Sequence, residues 1–304
     1  MSVPSTPAAT GASQAANLLR AMPAVFVLIW STGFVVARYA MPHAPPLSFL
    51  SVRYGLSALA FLLWIALAQV PWPQGRAQWL HLAVTGLLIH AGYLGGVWAA
   101  VRGGLGAGLV ALIVGLQPLL TALWVSVTGQ EHRIAPRQWA GLALGLAGLL
   151  LVVWHKLHQG QVTPWTLALA LFALASITVG TLYQKRWVQP CDVRSASAVQ
   201  LLAALAVTAP LALLETGRID MHVELIGAMV WSVLVLTLGG SSLLYLLLQR
   251  GAATAVTSLM YLVPPCTAVL AWLLFGETLG LLTLLGLLLT AAGVALAVQR
   301  PAHP

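Results

Sequence analysis

Charge is what this chain has least of. Of 304 residues only 7% are Asp, Glu, Lys or Arg, with six acids against 14 bases. A soluble domain carries about 25% charge, so a soluble globular protein is excluded. Disorder is excluded as well, because disorder pairs high charge with low hydrophobicity. Cysteine is nearly absent: Cys191 and Cys266 are the two present. That rules out a disulfide scaffold, a cysteine-based zinc site and an iron–sulfur cluster. No acid falls within a long apolar run, so there is no intramembrane carboxylate pair. P-loop, H-E-x-x-H and nucleophile-elbow motifs are missing too. Gly240–Ser241 has the look of an intramembrane serine-protease motif, but no later span carries a histidine to activate the serine. The net charge of +8 comes from bases scattered singly between apolar runs, without the basic stripe of a nucleic-acid binder.

What is there is hydrophobicity: 60% of residues are apolar and another 28 are glycine. A spanning helix needs about 20 apolar residues, and ten such segments can be placed. They run over residues 23–39, 48–70, 79–101, 105–127, 137–154, 165–187, 195–214, 226–248, 254–275 and 279–298, with proline- and glycine-marked turns between them. A β-barrel would need alternating polarity, whereas runs such as LALGLAGLLLVVW (142–154) are apolar on every face. The chain therefore reads as an all-α integral membrane protein with ten transmembrane helices. Residues 1–22 read as a flexible tail without the basic start of a signal peptide, and residues 299–304 as a second tail. Trp72, Trp79, Trp139, Trp154, Trp165 and Trp187 fall near span ends, where an amphipathic ring prefers to sit. Trp30, Trp98, Trp124, Trp231 and Trp272 fall deeper and read as packing. Nine bases in one set of loops against four in the other place both termini in the cytoplasm.

The sequence also repeats. Gly33 and Gly180 are 147 positions apart, and the same offset relates Arg38 to Lys185, Ser48 to Ser195, Gly104 to Gly251, Pro118 to Pro265 and Gly129 to Gly276. After a two-residue adjustment Gly141 and Gly148 match Gly286 and Gly293. Residues 23–154 and 165–298 are thus two copies of a five-helix unit. An odd helix count turns the second copy over relative to the first. Inverted repeats are a common build of secondary transporters, with substrate held near the midplane.

The segments LIWSTGFVVARYA, PPLSFLSVRYGLSALAFLL and GLGAGLVALIVGLQPLLTALWVSVTGQE of the first copy carry a family resemblance. So does SSLLYLLLQRGAATAVTSLMYLVPPCTAVLAWLLFGETLGLLTLLGLLLTAAGVALAV of the second. They resemble the paired domains of the EamA-type branch of the drug/metabolite transporter superfamily. The resemblance covers residues 23–298. It implies ten helices, inverted repeats, and movement of amino acids or similar small metabolites.

Arg53 is the one charge deep in a span, where a charged side chain faces a bundle interior or a wet cavity. It can meet a substrate carboxylate or be satisfied by carbonyls of a neighbouring helix; its repeat counterpart is Gln200. His90 lies mid-span with Tyr93 and Val97 on its face, as a substrate or proton group or as a neutral imidazole bonded across an interface. Gln117–Pro118 and Pro264–Pro265 interrupt two spans at matching places, and such paired breaks point to a transporter's binding site. Tyr245, Gln249 and Tyr261 are further candidates. Gly92 with Gly96, Gly104 with Gly108 and Gly141 with Gly145 have the spacing of close helix contacts. Glu131 and Glu277 suit the N-termini of the fifth and tenth helices. These readings give a transporter of alternating access whose central cavity is formed mainly by helices 1, 3, 4, 6, 8 and 9. It uses no metal or cofactor and exports a small metabolite, alone or as a homodimer. An importer, an intramembrane enzyme and a membrane scaffold are the alternatives.

Overall fold

The computed structural model describes residues 8–127, 136–158, 162–240, 242–243 and 262–298. Among them every regular element is helical. In chain order these are α1 (Ala8–Ala40), α2 (Pro46–Ala68), α3 (Arg76–Arg102) and α4, which is split into Ala107–Val114 and Gln117–Val127. Then come α5 (Pro136–His158), α6 (Pro164–Trp187), α7 (Val193–Ala212), α8 (Val223–Gly239), α9 (Val263–Phe275) and α10 (Leu281–Val298). The helices Pro46–Ala68, Arg76–Arg102, Trp139–Lys156, Pro164–Trp187 and Val193–Ala212 are long and apolar enough to cross a bilayer, and five shorter apolar helices accompany them. Helix α1 extends back to Ala8, well before Pro23. The intervening stretch is rich in Ala, the best helix former, with no side-chain entropy to lose.

Helix ends are set by local chemistry. Pro46 and Pro164 occupy first turns, where the missing N–H costs nothing. Thr163 and Thr166 form a reciprocal capping box. Asp192 caps α7 through the Arg194 N–H. Two caps come from afar. Glu215 accepts from the Leu47 and Ser48 N–H groups of α2 at 2.9 and 2.8 Å. Glu277 accepts from the Ala107 N–H of α4 at 2.9 Å. Glu277 therefore serves α4 rather than the tenth helix, because the αL turn at Gly276 (φ 65°) swings its carboxylate back to α4. Glu131 lies outside the described residues.

Packing repeats itself under a shift of five helices. α2 lies against α7, α4 against α9 and α5 against α10. The α1–α8 contact is mirrored by α6–α3, α1–α9 by α6–α4, and α2–α8 by α7–α3. Small residues make the closest of these approaches. Gly92 and Gly96 of α3 meet Ser176, Ala173 and Leu169 of α6. Gly148 of α5 lies on Gly286 and Thr290 of α10, with Gly293 on Gly141 and Gly145. In lipid, where apolar burial between helices gains little, such close contact is what joins them. Trp98 is packed inside, whereas Trp124, Trp231 and Trp272 are exposed on the outer surface. Trp231 nevertheless donates its Nε1–H to Thr32 Oγ1 of α1 at 2.9 Å.

A β-carbon added at Gly148 would come within 2.6 Å of the Gly286 carbonyl, while at Gly227 it would meet nothing within 4 Å. Gly148→Ala should therefore destabilise the detergent-solubilised protein by about 1–3 kcal/mol, the usual cost of overpacking. Gly227→Ala should leave the thermal midpoint within about a degree or raise it, as relief of glycine's backbone entropy allows.

Candidate functional site

The inner face of α2 is Phe49, Leu50, Arg53, Tyr54, Ser57, Ala58, Phe61 and Ile65, a three-and-four spacing that forms one stripe. Val52, Leu56, Leu59, Leu63 and Leu67 face outward and are exposed. Arg53 sits on the inner stripe and is 7% exposed, so helix geometry alone carries its guanidinium into the bundle. There its Nη2 and Nε donate to Thr237 Oγ1 of α8 at 3.2 and 3.4 Å. Its planar head lies 5.9 Å from the Trp98 ring centroid, within the range of a cation–π contact.

The two helices that face α2 and α7 here are both wound wide. In α3 the turn opens over Leu87–Leu94, and in α8 over Trp231–Gly239. Wide turns of this kind are rare and cluster at functional sites. In α8 the Thr237 hydroxyl donates to the carbonyl five residues back, that of Ser232, at 2.8 Å. In α3 the His90 carbonyl accepts from Tyr54 Oη at 2.7 Å. The Gln200 side chain of α7 lies beside the His90 imidazole.

These contacts obey the internal repeat. The offset of 147 that relates Arg53 to Gln200 also relates His90 to Thr237. The pair Arg53–Thr237 and the pair Gln200–His90 are therefore the same contact made once in each direction across the two halves. Only the chemistry differs: one copy carries a fixed cation and a hydroxyl, the other an amide and an imidazole.

Between α1, α2, α3 and α8 lies a cavity of about 110 Å³. A single water needs roughly 10–15 Å³ of such space, so a small solute fits. Its polar groups are Arg53, His90, Tyr93 and Thr237, and its walls are aromatic or aliphatic: Trp30, Phe34, Trp98, Val97, Ile89 and Leu236. No carboxylate lines it among the described residues. Arg53, His90 and Tyr93, separated in the sequence, thus share one space. Its described lining comes from α1, α2, α3 and α8.

The remaining described candidates lie elsewhere. Gln117 donates to Thr181 Oγ1 of α6 at 3.0 Å. Helix α4 does break just ahead of Pro118, at Gly115–Leu116. Pro264 and Pro265 open α9 and border a narrow gap against Gly115, Leu287 and Thr290. Tyr245, Gln249 and Tyr261 are outside the described residues. Thr237, Trp30 and Trp98 complete the site without having been singled out as functional. Thr237 was accessible as the repeat counterpart of His90.

Comparison with known proteins agrees with this architecture. The chain is 26% identical over 279 residues to the "Probable amino-acid metabolite efflux pump" of Salmonella typhimurium strain LT2, covering 88% of this chain and 90% of that protein. It is 29% identical over 269 residues to the "Uncharacterized inner membrane transporter YedA" of Escherichia coli strain K12, with 86% and 85% covered. A solved crystal structure at 19% identity matches 91% of this chain and 96% of its own with a TM-score of 0.62, a likeness of fold alone. The EamA-like transporter family model matches twice, over residues 19–154 and 164–299, and the chain, a membrane protein, belongs to that family of transporters.

Proposed function

We propose that the protein carries carboxylate-bearing small metabolites, amino acids foremost, out of the cell across the cytoplasmic membrane. The observation behind this reading is Arg53: a buried cation in a solute-sized cavity whose described lining holds no acid to neutralise it. A guanidinium so placed costs free energy unless something anionic or strongly accepting meets it. Thr237 and the Trp98 face offset part of that cost, and a substrate carboxylate would offset the rest through a two-pronged hydrogen bond. The aromatic and aliphatic walls favour a substrate with an apolar body. Export, not import, is favoured by the naming of the Salmonella relative as an efflux pump.

The ten helices are read as ten spans forming two inverted five-helix repeats, with both termini cytoplasmic. The fivefold shift in the packing supports this, since five spans per repeat is an odd number. Transport then proceeds by one half rocking against the other around the cavity. No step calls for a cofactor, and relatives named as transporters favour carriage over catalysis.

In proteoliposomes the wild-type protein should show saturable flux of one or more radiolabelled amino acids, with the solute recovered unchanged. Arg53→Ala should lower that flux at least about tenfold, and Arg53→Lys should keep part of it with weaker apparent affinity, because a point charge replaces a planar fork. Wild-type flux in Arg53→Ala at matched protein levels would remove Arg53 from the mechanism. A chemically altered solute would point instead to an enzyme.

For the topology, a reporter fused after residue 304 should read as cytoplasmic, and one inserted at residue 160 as external. Termini on opposite sides would overturn the even span count.

A further inference from the structure

Away from the cavity, the turn between α1 and α2 meets the segment that leads into α8. The backbone N–H of Asp220 donates to the His43 carbonyl at 2.8 Å, so the two loops are tied before any side chain is considered. His43 Nε2 then lies 3.1 Å from Glu224 Oε2, and His222 Nδ1 lies 4.0 Å from the same oxygen. One donor atom from each of His43, His222 and Glu224 lies within 4.8 Å of the others. The two imidazoles stack with centroids 4.4 Å apart.

Two ligands held about 2.0–2.2 Å from a tetrahedral zinc ion stand roughly 3.3–3.6 Å from each other. The observed separations bracket that value. His222 and Glu224, with side chains 46% and 44% exposed, have room to move; taking up the ion costs His222 Nδ1 its 3.3 Å hydrogen bond from the Glu224 N–H and turns its ring out of the stack with His43. A second feature points the same way. His43 presents Nε2 to the Glu224 carboxylate while its Nδ1 faces Asp220 Oδ2 at 3.4 Å. A carboxylate behind the far ring nitrogen is the arrangement that fixes tautomer and orientation in metal-bound histidines. Two imidazoles and one carboxylate, with no thiol, suit zinc, nickel or copper far better than calcium or magnesium.

We propose that His43, His222 and Glu224 bind one divalent transition-metal ion of the zinc class, with Asp220 as the positioning residue for His43. The ion ties the first half of the chain to the second at one end of the bundle. It joins the ends of α1, α2 and α8, three of the four helices that wall the cavity.

The test is zinc chloride titrated calorimetrically into the full-length protein, purified without affinity histidines. The expected result is saturable binding of one ion per chain. His43→Ala and His222→Ala should each weaken it more than about tenfold, and calcium should not compete. Asp220→Asn, a change at an exposed carboxylate, should weaken it roughly 10–100-fold. Absence of saturable binding, or affinity unchanged in His43→Ala and Asp220→Asn, would overturn the proposal. Binding is read without any transport assay, so this outcome is separate from the fate of the transport reading.

Discussion

Burying one guanidinium in a bundle with scarcely any acids is the constraint around which the centre of this protein is arranged. A charge at membrane depth is costly unless polar groups and polarisable faces surround it. Here the surroundings are specific: the Thr237 hydroxyl, the Trp98 ring and an open cavity. The position on α2 that delivers Arg53 inward also delivers Tyr54, whose hydroxyl holds the widened turn of α3 through the His90 carbonyl. Charge, cavity and helix distortion are thus parts of one local arrangement.

The internal repeat explains where that arrangement came from and how it departs from symmetry. Each half contributes a polar residue on its second helix and another on the widened part of its third, and each pair spans the two halves. Had the halves stayed identical, two arginines would face two matching partners, and their mutual repulsion in a low-dielectric interior would be severe. With Gln200 at the matching place the contact between halves is kept and a single cation remains. A cavity with one charged side and one neutral side orients an amphiphilic solute, which a symmetric cavity would not do.

Much of this was legible in the residues. Helical character followed from apolar runs too uniform for strands, the repeat from the spacing of glycines and prolines, and Arg53, His90 and Tyr93 from polarity at depth. Which helices enclose the cavity was not legible. A helix that is apolar all round carries no stripe to tell its protein side from its lipid side, so on α2 only Arg53 marked the inward face. The same uniformity hid the outward placement of Trp124, Trp231 and Trp272. The long-range cap of α4 by Glu277 depends on a turn geometry that spacing does not encode. Thr237 was overlooked because a threonine in a membrane helix ordinarily satisfies itself on its own backbone. Only its pairing with His90 under the repeat distinguishes it.

Whether Arg53 reads a carboxylate is decided by comparing a transported amino acid with its amide. In proteoliposomes, each is tested as a competitor of labelled amino-acid flux, in the wild type and in Arg53→Lys. The account predicts that the wild type favours the free acid over the amide by well over tenfold, as a lost charge-assisted hydrogen bond of about 1.5–3 kcal/mol requires. In Arg53→Lys that preference should shrink. Equal competition by acid and amide in the wild type would contradict it.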